Sequence, residues 1–553
     1  MKTLLSSLTA VVLLASCSFA APKTPDIVPA PQSLELQKGS FNVKGAPLTC
    51  DNTIDARTQN AVMAFADQIA LISGKNNSFA ATVGLRSNCD RGKVRGIAFI
   101  PAEDLADEAY RISVKSKAVI VEASSRNGFL YAIQTLKQML PVAVYGSEPA
   151  PKEDWTLPCC EIADAPRFGY RGMHLDCSRH MFPVEAVKRY LDAMAIYKMN
   201  RLHWHITDDQ GWRIEIEKWP RLTEVGAYRS GTQIGKDRES SDGIRYGGYY
   251  TREQIKDVID YADNLGITVV PEVDLPGHMQ AALAAYPELG CAGSKPQPYE
   301  VWKRWGISKQ VLSVGKEKTM RFLEDVVDEV ADVFPSEYFH IGGDECPRDE
   351  WKKDPACQAK IRELGLKDEP GITAEDKLQS YVTSRIQKHL ALKGKKIIGW
   401  DEVLQGPLDE GATVMSWRGT KGGIEAAKRG FDVIMTANKY LYFDYYQLED
   451  KEKQPLAIGS YVPFSKVYSF EPTEGLNEDE AKFIKGVQAN LWTEYIATPE
   501  HLEYMQLPRA IALSEVQWCK PENKNLERAQ SSFEQHQSKI LDILGYNYCK
   551  TIE

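Results

Sequence analysis

Hydrophobic and polar positions change rhythm along this chain near residue 160. From 31 to about 158, alternating stretches mix with helical ones. Apolar spacing predicts a helix over 60–73, residues 109–123 alternate through Tyr110, Ile112 and Val114 as a strand does, and 125–140 return to a helical period. This predicts a small α+β domain over 22–160, closed by the Pro- and charge-rich 148–153. Beyond it, short apolar runs separated by helical segments predict parallel βα units. Strands are expected over 169–177, 199–207, 267–273, 338–342, 396–400, 413–417, 433–437 and 486–491. Between the first two, residues 184–197 carry one apolar stripe of Val184, Val187, Leu191, Met194 and Ala195. Eight strands with intervening helices predict an α/β fold, a (β/α)8 TIM barrel occupying 161–553, with a helical run over 526–544 after the eighth unit.

Polar residues gather just after these strands. The fourth ends in Glu337-Tyr-Phe-His-Ile-Gly-Gly-Asp344-Glu345, an apolar run delivering two adjacent carboxylates. Strand alternation puts Tyr338, His340, Gly342 and Asp344 on one face and Phe339, Ile341 and Gly343 on the other. The glycine pair removes side-chain bulk where something approaches the backbone, and a ligand is the expected visitor. The other strand ends carry Arg179-His180, Asp208-Asp209, Asp274 and His278, Trp400-Asp401-Glu402, Trp417-Arg418, Tyr442 and Asp444, and Trp492 and Glu494. Any one of these is ordinary as a helix cap or a solvated loop residue. Eight successive strands ending so predict an active site on the face of the barrel where such ends open. Two long stretches without clear periodicity, 228–249 and 287–313, are expected on the leaving-group side of that site, though a structural insertion fits them nearly as well.

Composition narrows the chemistry. At 43% hydrophobic and 26% charged the chain is ordinary globular protein, and its net charge of -9 offers no basic field to a phosphate backbone, which sets nucleic acid aside. Residues 1–20 read as a signal peptide: Lys2, an apolar run, then small residues, too short to span a bilayer. Leu14-Ala15-Ser16-Cys17 resembles a lipoprotein signal ending before Cys17, and Ser18-Phe19-Ala20 an ordinary cleavage site. Either exports the chain, to the periplasm or cell surface through a lipid on Cys17, the one membrane attachment in view, or as a soluble secreted protein. Of eleven cysteines, ten remain beyond Cys17, and Cys50 with Cys89 and Cys346 with Cys357 are the expected disulfides.

An acid pair, several aromatics and no cofactor signature point to hydrolysis of a neutral polar substrate, and a sugar fits best. Trp400, Trp417 and Trp492 would wall a pocket against a pyranose, with Arg179, Asp208 and Glu494 on its hydroxyls. Each tryptophan alone fits an ordinary core equally well. One competing reading takes His203, His205 and His278 with nearby aspartates as the metal site of an amidohydrolase-type barrel. Against it, Leu202, Trp204 and Ile206 form the opposite, apolar face, so the histidines fit a metal-free, hydrogen-bonded barrel interior. No Cys-x-x-Cys spacing suggests zinc.

The blocks Arg171-Gly172 with Asp176-Cys-Ser-Arg-His180, His203-Trp-His-Ile-Thr-Asp-Asp-Gln-Gly-Trp212, Pro276-Gly-His278 and His340-Ile-Gly-Gly-Asp-Glu345 together resemble glycoside hydrolase family 20, the β-N-acetylhexosaminidases. The preceding α+β segment resembles that family's N-terminal domain. The resemblance implies exo-hydrolysis of terminal β-linked N-acetylglucosamine, with N-acetylgalactosamine as the alternative sugar, and neither cofactor nor metal. It implies Glu345 as general acid/base and Asp344 on the acetamido nitrogen. Arg179 would bind the hydroxyls at C3 and C4, Glu494 those at C4 and C6, and Asp444 that at C6. Tyr442 would serve the acetamido carbonyl, Trp400, Trp417 and Trp492 would enclose the sugar, and Asp208 and His278 would support Glu345. Adjacent carboxylates are poorly placed to flank a scissile bond, and the family's substrate-assisted mechanism, in which the acetamido oxygen attacks C1, needs no such pair. A catalytically silent glycan-binding protein is the alternative from another class, and retention of both acids argues against it.

Overall fold

The computed structural model describes residues 24–82, 94–293 and 298–553. The leader 1–20 with Cys17, and Cys89, lie outside them. Among the described residues no helix is long and apolar enough to cross a membrane.

The N-terminal unit is a seven-stranded sheet in the order Ser33–Asn42, Thr156–Asp164, Tyr110–Lys115, Ala118–Ala123, Gly96–Pro101, Leu48–Asp51, Phe79–Thr82. The alternating stretch is a hairpin, with Lys115 opposite Ala118. Helices Ala56–Ser73 and Arg126–Met139 supply buried stripes to the same core. Asp55 caps the first by accepting from Thr58 N–H, and Gly74 ends it at φ 69°, a conformation that costs glycine little.

Eight parallel strands then close a barrel in chain order: Tyr170–Asp176, Arg201–His205, Thr268–Glu272, Tyr338–His340, Lys396–Trp400, Thr413–Ser416, Asp432–Met435 and Ile484–Ala489. The eighth pairs with the first, Gly486 opposite Tyr170. Alternation sorts their side chains. Leu202, Trp204, Phe339, Val414 and Val433 belong to the large core shared with the surrounding helices, whereas Tyr170, Val270, Ile398, Met415 and Ile434 form a separate cluster inside the barrel. The helix before the fourth strand, Glu317–Val333, buries Met320, Leu323, Val327 and Val330, a stripe at helical spacing. The helical run after the eighth unit is interrupted by a π-turn over Phe533–Gln537.

The barrel and the N-terminal sheet share buried ion pairs. Arg171 donates to Glu108 at 2.8 and 3.0 Å, and Lys198, wholly buried, reaches Asp164 at 3.2 Å and the Tyr110 hydroxyl at 2.7 Å. Burial works against the Glu108 charge, but Arg171, Asn200 and Tyr131 outweigh it and lower its carboxyl to about 2.

Two expectations need correction. Strand alternation does not reach the acid pair, because the fourth strand ends at His340 and Gly342, Gly343 and Glu345 all take positive φ. What approaches Gly342 is the Asp274 side chain. A Cβ there would lie 1.8 Å from Asp274 Oδ1, the oxygen that accepts from Gly343 N–H at 3.1 Å. Cys346 and Cys357 are not joined to each other, and Cys357 lies beside Cys291 instead. Nearness in sequence suggested the wrong partner because the helix Pro355–Glu363 turns Cys357 toward the segment after the third barrel strand.

Candidate active site

At the C-terminal ends of the barrel strands lies a cavity of about 200 Å³, lined by Arg179, Asp344, Glu345, Trp400, Trp417, Tyr442, Asp444, Tyr445, Ile458, Trp492 and Glu494. It is smaller than the roughly 300–1,000 Å³ of typical drug-sized pockets. Aromatic rings make its walls: Trp417 stacks on Tyr442 at 6.1 Å and 16°, and Trp400 lies 5.9 Å from Trp492. Trp417 Nε1–H donates to Glu402 at 3.0 Å and Trp400 Nε1–H to Glu272 at 2.9 Å, which fixes both indoles. Arg179 is the cation among the lining residues, with its guanidinium 5.0 Å from the Trp492 ring.

Asp344 and Asp444 in this pocket, and Glu402 beside it, are crowded and buried. Burial first, then the Asp274 carboxylate, raises Asp344 well above the carboxylate range. Burial and Glu494 do the same to Asp444, and burial, Asp344 and Asp401 push Glu402 up to about 9. The Oδ1 atoms of Asp344 and Asp444 are buried without a hydrogen-bond partner. Such oxygens are costly unless a ligand supplies a donor.

Asp208 and His278 stand behind the pocket and join it to Glu345. Asp208 Oδ2 takes Arg179 at 2.8 Å and His205 Nε2 at 2.9 Å, while its Oδ1 lies 3.2 Å from His278 Nδ1. The other ring nitrogen of His278 faces Glu345 at 3.6 Å and Asp344 at 3.9 Å. Burial opposes charge on His278, but Asp208, Asp209 and Glu345 overcome it and raise its pKa well above the ordinary value. Below this, His205 Nδ1 meets Glu272 at 2.5 Å. Carboxylate and imidazole side chains therefore alternate from Glu272 through His205 and Asp208 to His278.

All eleven residues predicted for the site converge here. Nine line the cavity and Asp208 and His278 touch those nine. Asp209, Asp274 and Glu402, named at the strand ends but given no role, stand around it, and Glu272, Tyr445 and Ile458 were not predicted for it. The signal for Glu272 was an acid in the otherwise apolar run Val269–Val273, and for Tyr445 its place beside Tyr442 and Asp444; Ile458 carried none. The histidines of the metal reading are engaged with one another's partners: both ring nitrogens of His205 meet carboxylates, and His203 Nδ1 pairs with Gln488 at 3.0 Å. The two long loops pack together, Arg238 donating to the Trp305 carbonyl at 2.9 Å, and they line a larger open cavity of about 810 Å³ that includes Trp302.

Fold and site together define a (β/α)8-barrel protein whose mouth holds two adjacent acids in a small, aromatic-walled pocket. The chain belongs to glycosyl hydrolase family 20. Residues 168–521 match the family's catalytic domain and residues 24–165 its domain 2. It is 42% identical over 495 residues to a β-hexosaminidase of Porphyromonas gingivalis and 38% identical over 414 residues to one of Vibrio furnissii, covering 89% and 74% of this chain. The chain spans 60% and 65% of those relatives' own lengths. Among solved structures, the β-N-acetylhexosaminidase of Streptomyces coelicolor superposes with a TM-score of 0.81 at 30% identity, covering 96% of this chain and 99% of that one. An exo β-N-acetylglucosaminidase of Vibrio harveyi, in complex with N-acetylglucosamine, superposes with a TM-score of 0.79 at 31% identity, covering 95% and 78%.

Proposed function

We propose that this chain is an exo-acting β-N-acetylhexosaminidase that releases terminal, non-reducing β-linked N-acetylglucosamine from glycans, with N-acetylgalactosamine as a second sugar. It acts with retention, through an oxazolinium intermediate formed by the substrate's own acetamido group. The observation that carries this reading is the buried, unpartnered Oδ1 of Asp344 beside Glu345 in a pocket of about 200 Å³. A small pocket suits one terminal ring and not the middle of a chain, and the oxygen suits an amide N–H. The names of the relatives support the same reading.

In the first step the acetamido carbonyl oxygen attacks C1 as Glu345 gives its proton to the leaving oxygen. Asp344 accepts from the acetamido N–H and stabilises the positive charge spreading onto that nitrogen, and the Tyr442 hydroxyl orients the carbonyl. His278, held by Asp208, steadies Glu345 from behind. In the second step Glu345 takes a proton from water, which adds to C1 and reopens the ring. Arg179, Glu494 and Asp444 hold the sugar hydroxyls, the tryptophans cover its apolar faces, and the larger cavity beside the two loops takes the remaining glycan. The apolar leader of the sequence supports export, with attachment to a membrane surface through a lipid on Cys17 or release as a soluble protein.

Side-by-side turnover of aryl β-N-acetylglucosaminide, β-N-acetylgalactosaminide and β-glucoside tests this. Release from the first, weaker release from the second and almost none from the glucoside is expected. No turnover of any of them, with N-acetylglucosamine still bound, would mark a glycan-binding protein.

A further inference from the structure

Cys291 lies in the segment leaving the third barrel unit and Cys357 on the helix Pro355–Glu363, and both are buried. The two Sγ atoms and a carboxylate oxygen of Asp354 all lie within 4.8 Å of one another. One carboxylate fixes both backbones: Asp354 Oδ1 accepts from the amide of Ala292 at 2.9 Å, and Oδ2 from the amide of Cys357 at 3.0 Å. A short bridge between Gly290 and Leu312, and Ser313 N–H on the Leu289 carbonyl at 2.8 Å, hold the Cys291 side. The cysteines are thus held in place by the residues around them and do not meet at the tips of mobile loops.

From this geometry we propose that Cys291 and Cys357 form a disulfide that ties the segment before Trp302 to the helix following the acid pair. A structural metal is the other use of such a cluster, and the neighbouring groups disfavour it. Both Asp354 oxygens are already taken, Oδ2 also by the Ser313 hydroxyl at 2.6 Å, which leaves two thiols where structural zinc needs four ligands. Bond formation balances by exchange with a second disulfide, of a small molecule or of a thiol–disulfide oxidoreductase. One cysteine, as thiolate, attacks that disulfide and expels its first thiol, and the other cysteine then attacks the mixed disulfide and expels the second. The two protons leave on the two expelled thiols, the cysteines are oxidised and the partner disulfide is reduced. The neighbouring Cys357, then burial, opposes ionisation of Cys291 in the folded chain, so the exchange belongs to folding, before this region closes. The link matters to the site because the chain a few residues further on reaches it, with Trp302 N–H on the Asp209 carbonyl at 3.0 Å and Ser308 N–H on the Asp209 carboxylate at 3.2 Å.

The test is non-reducing peptide mapping of the whole chain, alkylated as it is denatured. One sample comes from an exporting host without reductant, and a second is refolded from the reduced, unfolded state in a glutathione buffer. The expected result is one cross-linked species containing Cys291 and Cys357, lighter by two hydrogens than the separate peptides and split by reductant. A cross-link in the refolded sample alone supports the pairing and counts against export. Both thiols alkylated in the refolded sample, or one equivalent of zinc shielding both until it is chelated, overturns the proposal. Reductant should also lower the melting temperature of the wild-type protein by about 5 °C and leave Cys291→Ser and Cys357→Ser unmoved. A wild-type melt indifferent to reductant contradicts it.

Discussion

The role of a single side chain here depends on the company it keeps. Glu345 is a third exposed and reaches His278, whereas its neighbour Asp344 turns an unpartnered oxygen into the pocket. Glu345→Gln is expected to cost roughly 10² to 10⁴ in rate on substrates with poor leaving groups, the usual worth of a positioned acid, and less as the leaving group improves. An equal loss across leaving groups would assign Glu345 another role. Glu272 never touches the cavity, yet it holds the Trp400 indole and, through His205, the Asp208 that serves both Arg179 and His278. Glu272→Gln removes the charge that does most, against burial, to raise the His205 pKa, and kcat should fall about 10- to 100-fold with KM moving less, the cost of a displaced catalytic group. An unchanged kcat would show that the network only fills space. The acid pair was legible in the sequence because two carboxylates after an apolar strand are conspicuous. Glu272 was not, because a buried acid inside a strand looks like a break in an apolar pattern until the barrel shows which way it points.

Among the elements, the strands were legible and their ends less so. Parallel strands buried on both sides read as apolar runs, and all eight stand where those runs lie. The fourth ends early because Gly342 must admit Asp274, a contact between distant segments that no local pattern reports. The order of the N-terminal sheet, with its first and last strands side by side, was equally hidden. The long loops read as aperiodic because side-chain anchors shape them. Asp209 Oδ1 accepts from Gln280 N–H at 3.0 Å and Oδ2 from Ser308 N–H at 3.2 Å. Asp209→Ala should weaken local closure by about 1–3 kcal/mol, the cost of unpaired buried donors, seen as faster hydrogen exchange at the Ser308 and Gln280 amides. Unchanged protection there would mean that the loops hold themselves.

In the whole molecule, the N-terminal sheet and the barrel are joined by buried charge as well as apolar surface. Glu108 has a folded-state pKa lowered to about 2, below its unfolded value of about 4.3, so its contribution is present above the unfolded value and is lost as pH falls toward about 2. At about 1.36 kcal/mol per unit, that is roughly 3 kcal/mol between pH 5 and pH 2. Glu108→Gln should lower stability near pH 7 by about 3–5 kcal/mol, since it leaves Arg171 buried without its counter-charge, and should flatten this acid limb. Denaturant midpoints across pH for both proteins provide the check, and parallel curves would remove Glu108 from the account.

The central claim needs the whole barrel mouth to act together, with Tyr442, Asp344 and the tryptophans turning the substrate's acetamide into the attacking group. Stepwise fluorination of the N-acetyl group in an aryl β-N-acetylglucosaminide tests it most directly. Each fluorine weakens the carbonyl oxygen as a nucleophile, so kcat should fall steeply with each one while the product keeps the β configuration. Turnover indifferent to fluorination, with a 2-fluoro glycoside leaving a sugar covalently attached to the peptide containing Asp344, would contradict the substrate-assisted mechanism.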